Sequence, residues 1–161
     1  PKVRPYARLR NDEDGAVSEF YPMPSFPTLT VRDLAASMRW YETTLGFQTL
    51  FVMPGPGGAP ALAHLRWARY ADLMLRPDAT AATGAKGAGV MLTFAVADGL
   101  DALADRAKAH GATILREPGD RPWNARDFTL ADPDGYALTF TMGPLKRDLD
   151  IAQVVDNVRR S

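Results

Sequence analysis

Strand, helix, strand, strand, strand is written twice along this chain. The aspartates that precede the two helices, Asp33 and Asp98, stand 65 residues apart. A repeat of that size decides the fold class more than any single motif does. The expectation is an α+β protein of two tandem βαβββ modules, over residues 25–77 and 90–143. An Ala-, Thr- and Gly-rich linker (78–89) lies between them, with an extension before (1–24) and a helix after (144–161).

In the first copy Phe26 to Val31 alternates as a strand, with Leu29 and Val31 on one face and Phe26, Thr28 and Thr30 on the other. Asp33 is placed to cap a helix carrying Leu34, Met38, Tyr41 and Leu45 at helical spacing, and Gly46 to end it. Phe47 to Met53 reads as a strand, and Ala61 to Trp67 with Tyr70 to Arg76 as a hairpin. The pattern restarts at Val90 to Val96, where Val90, Leu92, Phe94 and Val96 oppose Met91, Thr93 and Ala95. Asp98 then caps a helix through Leu100, Leu103, Ala104 and Ala107, which stops at His110-Gly111, and Ala112 to Arg116 is a strand. Arg121 to Thr141 supplies the last two strands, with a Pro-Trp corner at Pro122-Trp123 and a tight turn at Asp132-Pro-Asp-Gly135. Pro in second place and Gly in fourth suit a type I turn, so those carboxylates are turn residues before they are catalysts.

In each copy the helix-facing side of the strands is apolar and the other side is mixed. A mixed face suits a binding surface better than a second packed core. At the ends, Val3 to Arg10 and Ala16 to Tyr21 flank the turn signal Asn11–Gly15, which reads either as an N-terminal hairpin that would cover a pocket or a partner subunit or as a partly ordered extension broken by Pro5, Pro22 and Pro24. Leu145, Leu149, Ala152 and Val155 at helical spacing predict a docked amphipathic helix over Leu145 to Arg159.

The totals exclude several classes. Lys+Arg and Asp+Glu are 19 each, so no electrostatic footprint for nucleic acid exists. The absence of Cys removes disulfides, thiolate nucleophiles and zinc–thiolate sites. No apolar run reaches the ~18–20 residues of a membrane span, and the start, PKVRPYARLR, has no signal-peptide core. A soluble cytoplasmic protein with no membrane partner is expected. Neither a nucleophile elbow nor a phosphate-binding loop is present.

Two stretches carry a family resemblance. Val31-Arg-Asp-Leu34 with Ser37, Trp40-Tyr41 and Leu45-Gly-Phe47 resembles the first module of the vicinal oxygen chelate proteins. This is the superfamily of glyoxalases, bleomycin-resistance proteins and extradiol dioxygenases. Asp132-Pro-Asp-Gly135 and the strand after it resemble the end of the second module. The resemblance implies modules that each curl a mixed sheet around a cavity, and a homodimer.

Metal-dependent relatives carry His or Glu at set places on the inner strand faces. Seven residues before Asp33 stands Phe26, and seven before Asp98 stands Met91. Four residues beyond Gly135, where the resemblance implies Glu, stands Thr139. Asp72 is the one carboxylate that could fall at the remaining place. A catalytic metal needs about three protein ligands, so neither a metal nor another cofactor is expected.

An apolar floor of Phe26 and Met91 suits a flat aromatic ligand. Trp123 resembles the Pro-Trp-Gly corner of the bleomycin-resistance proteins, with Asn124 in place of Gly. Thr28, His64 and Thr139 would line the same pocket, and Arg66 and Arg126 would pair with a phenolate or carboxylate. Bleomycin is cationic and this chain is neutral, so the expected ligand is an uncharged or weakly acidic, antibiotic-like aromatic compound. The function expected is sequestration by a metal-free binding protein. The alternative is a glyoxalase- or dioxygenase-like enzyme (lyase, isomerase or oxygenase) on the same scaffold, either metal-free with His64, Asp72 or Tyr70 in acid–base work or metal-dependent through other ligands. A third reading is an accessory or regulatory subunit whose cavity is vestigial.

Overall fold

The computed structural model describes residues 4–5, 23, 25–77 and 86–161. Its strands are β1 (Arg4–Pro5), β2 (Thr28–Val31), β3 (Gln48–Pro54), β4 (Pro60–Ala68), β5 (Ala71–Pro77), β6 (Met91–Asp98), β7 (Thr113–Arg121), β8 (Ala125–Ala131) and β9 (Ala137–Met142). Its helices are α1 (Leu34–Trp40), α2 (Leu100–Ala109) and α3 (Ile151–Arg160). The first copy forms a sheet in the order β2-β5-β4-β3, and the second in the order β6-β9-β8-β7 with β1 added beside β6. In each copy the first strand runs parallel to the last, and the other pairs are antiparallel. The fold is α+β, two βαβββ modules with open, mixed sheets.

Helix α1 begins and ends where its sequence says. The Asp33 carboxylate accepts the Ala36 amide at 2.9 Å, a side-chain cap that satisfies one orphan N–H. The last turn widens over Tyr41–Leu45 and closes on Gly46 at φ 79°, a conformation that costs glycine nothing. Helix α2 departs from expectation. Asp98 is the last residue of β6, and Gly99, at φ 75°, caps the helix without a side-chain bond.

Alternation decides burial along β2 and β6, whereas the central strands β4, β5, β8 and β9 are buried on both faces. Leu29, Val31, Leu65, Leu73 and Leu75 of the first sheet join Phe94, Val96, Phe128, Leu138 and Phe140 of the second in one core, with Leu34, Tyr41, Leu100 and Leu103 from the helical segments. Trp67 knits the copies together: its ring lies 5.8 Å from Phe94 and 5.2 Å from Phe140, and its Nε1 donates to the Leu45 carbonyl. Since this one core takes the helix-facing side of both sheets, the opposite side of each sheet points away from it.

The Asp132–Gly135 turn ties the second copy to the first. Gly135 N–H donates to the Asp132 carbonyl at 3.0 Å, closing the turn. Asp132 Oδ1 accepts the amides of Asp134 and Tyr136, and its Oδ2 accepts the Tyr41 hydroxyl at 2.8 Å. Asp134 accepts Arg32 Nε at 2.9 Å, and the Tyr136 hydroxyl donates to the Thr30 carbonyl at 3.1 Å. Burial pushes the Asp132 carboxyl above the usual carboxylate range, against the lowering effect of its hydrogen bonds. Burial, with Asp132 beside it, also pushes the Tyr41 hydroxyl well up.

The ends differ from expectation. Strand β7 runs on through Arg121, so only Pro122–Asn124 remains as the Trp corner. The C-terminal helix starts at Ile151, six residues later than the apolar spacing suggested, because Asp150 and Gln153 form a capping box there. It is amphipathic and rests only lightly on the sheet: none of its residues is buried and Ile151 is 84% exposed, while Val154 reaches a cavity wall beside Trp123. Of the expected N-terminal hairpin, the described part is Arg4–Pro5, which pairs with β6. The rest of the hairpin, and residues 78–85 of the linker, lie outside the described residues.

Candidate functional site

The outward face of each sheet is organised in rows that cross all four strands. In the first sheet one row reads Thr28, Met74, His64, Phe51; in the second the matching row reads Thr93, Thr139, Thr129, Arg116. Thr28 and Thr93 each stand five residues before the helix aspartate, so the rows correspond through the repeat. By that register Met74, and not Asp72, is the counterpart of Thr139. Asp72 lies one pleat along, paired with Arg66.

These rows bring His64, Arg66 and Asp72 together. Asp72 Oδ1 meets His64 Nε2 at 2.7 Å and accepts Arg66 Nε at 2.7 Å. All three side chains are buried, and the Phe51 ring packs edge-on to the imidazole at 5.2 Å. A carboxylate so placed fixes the imidazole ring and compensates the guanidinium charge. Tyr70 is not on a strand: it holds the β4–β5 turn at φ 64°.

On the second sheet the central residues are hydroxyls. Thr129 and Thr139 share a hydrogen bond at 2.8 Å, and Thr139 Oγ1 lies 2.7 Å from Met91 Sδ. One end of this face opens into a cavity of about 460 Å³. Its walls are Trp123, Ala95, Val96, Ala125, Pro144 and Val154, with Asn124 and Thr141 as the polar contributors. Asn124 takes the left-handed φ of 65° that glycine would supply. Its side-chain amide also donates to the Lys146 carbonyl at 2.7 Å and accepts the Lys146 amide at 2.8 Å. The departure from glycine therefore adds a clamp that holds the chain after β9 against the Trp corner.

Beside the cavity sits a charged group that the sequence did not flag. Asp127, buried, accepts Arg121 Nε at 2.7 Å and lies 3.1 Å from Arg116 Nη2. The Arg116 guanidinium lies 5.9 Å from the centre of the Trp123 ring. Arg116 reaches this face through a β-bulge: Ile114 pairs with Leu130, yet Arg116 pairs with Thr129, leaving Leu115 as the extra residue.

Of the residues expected to form one pocket, Trp123 lines the cavity, whereas Met91 stands four residues back along β6 from Ala95, about 13 Å away at strand rise. Phe26 and Thr28 precede or open the first sheet, and His64 and Arg66 lie on that sheet's outward face. Arg126 is a correction. It projects on the helix side of β8, where Asp101 of α2 and Asp120 of β7 hold it at 2.8 Å each. Strand alternation puts it opposite to Asp127 and Thr129, so it cannot meet a ligand on their face.

The places where metal-dependent relatives carry ligands hold Phe26, Met74, Met91 and Thr139. A ring, two thioethers and a hydroxyl already bonded to Thr129 do not fit a divalent ion that asks for imidazole or carboxylate. Among the described residues, no group of three or more His, Asp or Glu is arranged to hold one. No described helix is long and apolar enough to cross a membrane.

Fold and face together define a class: paired βαβββ modules whose outward sheet faces carry apolar, hydroxyl and cationic side chains. The chain belongs to the glyoxalase/bleomycin resistance protein/dioxygenase superfamily, whose family model matches residues 25–140. It is similar to an uncharacterised protein of Mycobacterium bovis, 29% identical over 136 residues, covering 80% of this chain and 87% of that protein. Among solved structures it is similar to TioX from Micromonospora sp. ML1, at 25% identity and a TM-score of 0.59, covering 74% of this chain and 94% of that one. A glyoxylase/bleomycin resistance protein/dioxygenase domain from Frankia sp. EAN1pec shares the fold at a TM-score of 0.66 and 23% identity, covering 81% of this chain and 96% of that one.

Proposed function

We propose that this protein is a metal-free small-molecule binder that sequesters a planar aromatic, antibiotic-like compound. The observation that carries the reading is the Trp123 cavity of about 460 Å³, apolar on most sides with a few polar groups at its edge. That size and lining suit a small organic ligand. Trp123 is 45% exposed, which leaves ring surface for a ligand to cover. Burying flat apolar area supplies roughly 25 cal/mol per Å² before the costs of association. Family membership supports the scaffold, and the donor set at the ligand places speaks against metal chemistry.

The test is a thermal-shift screen over planar aromatic compounds, followed by titration of the hits. Trp123→Ala should weaken binding by about 30-fold or more, as loss of an aromatic anchor does, while the free protein melts within about 3 °C of wild type because the ring is half-exposed. Hits that bind the alanine variant unchanged would remove Trp123 from the site.

The reading includes a homodimer. Phe26, Met53, Met91, Leu115 and Trp123 are exposed on or beside the outward faces, and a second copy laid across them would enclose a ligand. Sedimentation at micromolar concentration should give twice the mass of 17.6 kDa; a monomer there would leave each face to bind alone. A second reading, metal-free acid–base catalysis, rests on one contact, His64 to Asp72 at 2.7 Å.

A further inference from the structure

We propose that Arg116 selects anionic ligands at the Trp123 cavity, so that the preferred class is a planar aromatic acid and not a neutral ring. The inference rests on the reading of that cavity as the binding site. Three observations carry it. The Arg116 guanidinium lies 5.9 Å from the centre of the Trp123 ring, beside the cavity wall and on the same sheet face as Thr141 and Ala125, which line it. Its Nε is buried and has no hydrogen-bond partner among the described residues. Its side chain is 40% exposed, so the remaining N–H groups are reachable.

The neighbouring charges differ in how far they are committed. Arg121 gives Nε to the Asp127 carboxylate at 2.7 Å and Nη2 to the carbonyls of Glu117 and Asp127 at 2.8 and 3.1 Å. Arg116 meets the same carboxylate at Nη2, at the longer distance of 3.1 Å. Two guanidinium groups against one buried carboxylate leave a positive excess, and Arg116 is the cation able to turn toward a ligand. A ring stacked against Trp123 would bring a carboxylate or phenolate at its edge to this planar fork, which can hold it with paired N–H donors. The ring beneath also favours the cation where it stands.

The test compares 2-naphthoate with 2-naphthamide, which share shape and differ in charge, by calorimetry on the full chain at pH 7. Wild type should bind the acid about 10-fold more tightly than the amide, the yield of one charge-assisted hydrogen-bond pair. Arg116→Gln should bring the two within about 2-fold by weakening the acid alone. Arg121 keeps Asp127 compensated in that variant, so it should fold, and circular dichroism checks it. If it does not fold, Arg116→Lys, which keeps the charge and loses the fork, should give an intermediate ratio. A wild-type protein with no preference for the acid overturns the inference, as does a preference that survives Arg116→Gln. Failure of both probes to bind overturns the cavity reading and this inference with it, whereas equal binding of both leaves the cavity reading standing.

Discussion

Asp132→Ala is expected to lower the free energy of unfolding by about 3–5 kcal/mol, since one side chain here satisfies several buried groups at about 1–3 kcal/mol each. Its carboxylate accepts the amides of Asp134 and Tyr136 and the Tyr41 hydroxyl. Alanine would leave all three donors short of a partner, and the hydroxyl lies where the first copy meets the second. At about 2–4 °C per kcal/mol for a domain of this size, the melting temperature should fall by roughly 10 °C. A fall of about 2 °C or less would mean that the turn holds without its side chain. Tyr41→Phe isolates the inter-copy bond and should cost about 1.5–3 kcal/mol, because it withdraws the donor from a buried carboxylate.

The same residue sets a pH signature. Burial raises the folded-state pKa of Asp132 above its ordinary value. The folded protein therefore binds this proton more tightly than the unfolded chain does. The stabilisation is fully present below the unfolded pKa and is lost as pH rises through the folded one. Other carboxylates contribute slopes of their own, so the comparison must be with Asp132→Asn. Asparagine keeps Oδ1 as acceptor for the two amides and turns its NH₂ toward the Tyr41 oxygen. Denaturant unfolding from pH 4 to 7 should give an Asn variant whose stability, relative to wild type, rises across the acid range by the linkage that Asp132 contributed. Parallel curves would assign the titration elsewhere.

The elements that positioned these residues were legible where a local rule and the tertiary demand agreed. Leu29 and Val31 against Thr28, or Phe94 and Val96 against Met91, follow from strand alternation, and burial in a single core respects it. Gly46 ends its helix because its φ is positive. What was not legible involves a change of register or a choice between equivalent faces. The bulge at Leu115 moves Arg116 to the outward face, and nothing in a run of Ile, Leu and Arg marks an extra residue. Arg126 reads in the sequence as a cation for a ligand's phenolate or carboxylate, but its partners Asp101 and Asp120 come from α2 and β7 and are visible only in three dimensions. The spacing Leu145, Leu149, Ala152, Val155 is helical, yet the capping box at Asp150 overrides it. Trp123 was legible as a corner, whereas its cavity wall from Val154 depends on where α3 begins.

Asp72→Ala should cost about 3–5 kcal/mol, the usual consequence of withdrawing a carboxylate that compensates buried charge. The carboxylate oxygen meets both His64 and Arg66 at 2.7 Å, and all three residues are almost wholly buried. Stability alone does not explain why charge is kept there. A sheet face filled with aliphatic side chains of similar volume is often as stable as one carrying a buried ion pair, because no ion must be desolvated. The triple variant His64→Leu, Arg66→Met, Asp72→Leu should accordingly recover most of the loss and unfold within about 2 kcal/mol of wild type. Calorimetric titration of that variant with planar aromatic acids then separates two roles. If His64 and Arg66 help to shape the ligand face, a stable triple variant will bind more weakly than wild type by about 10-fold or more, the scale of one charge-assisted hydrogen bond. If the cluster only secures the packing of β4 on β5, binding will be unchanged while Asp72→Ala remains crippled in stability. A triple variant as unstable as Asp72→Ala would show instead that the charges themselves, through their shared carboxylate, hold this face of the first sheet together.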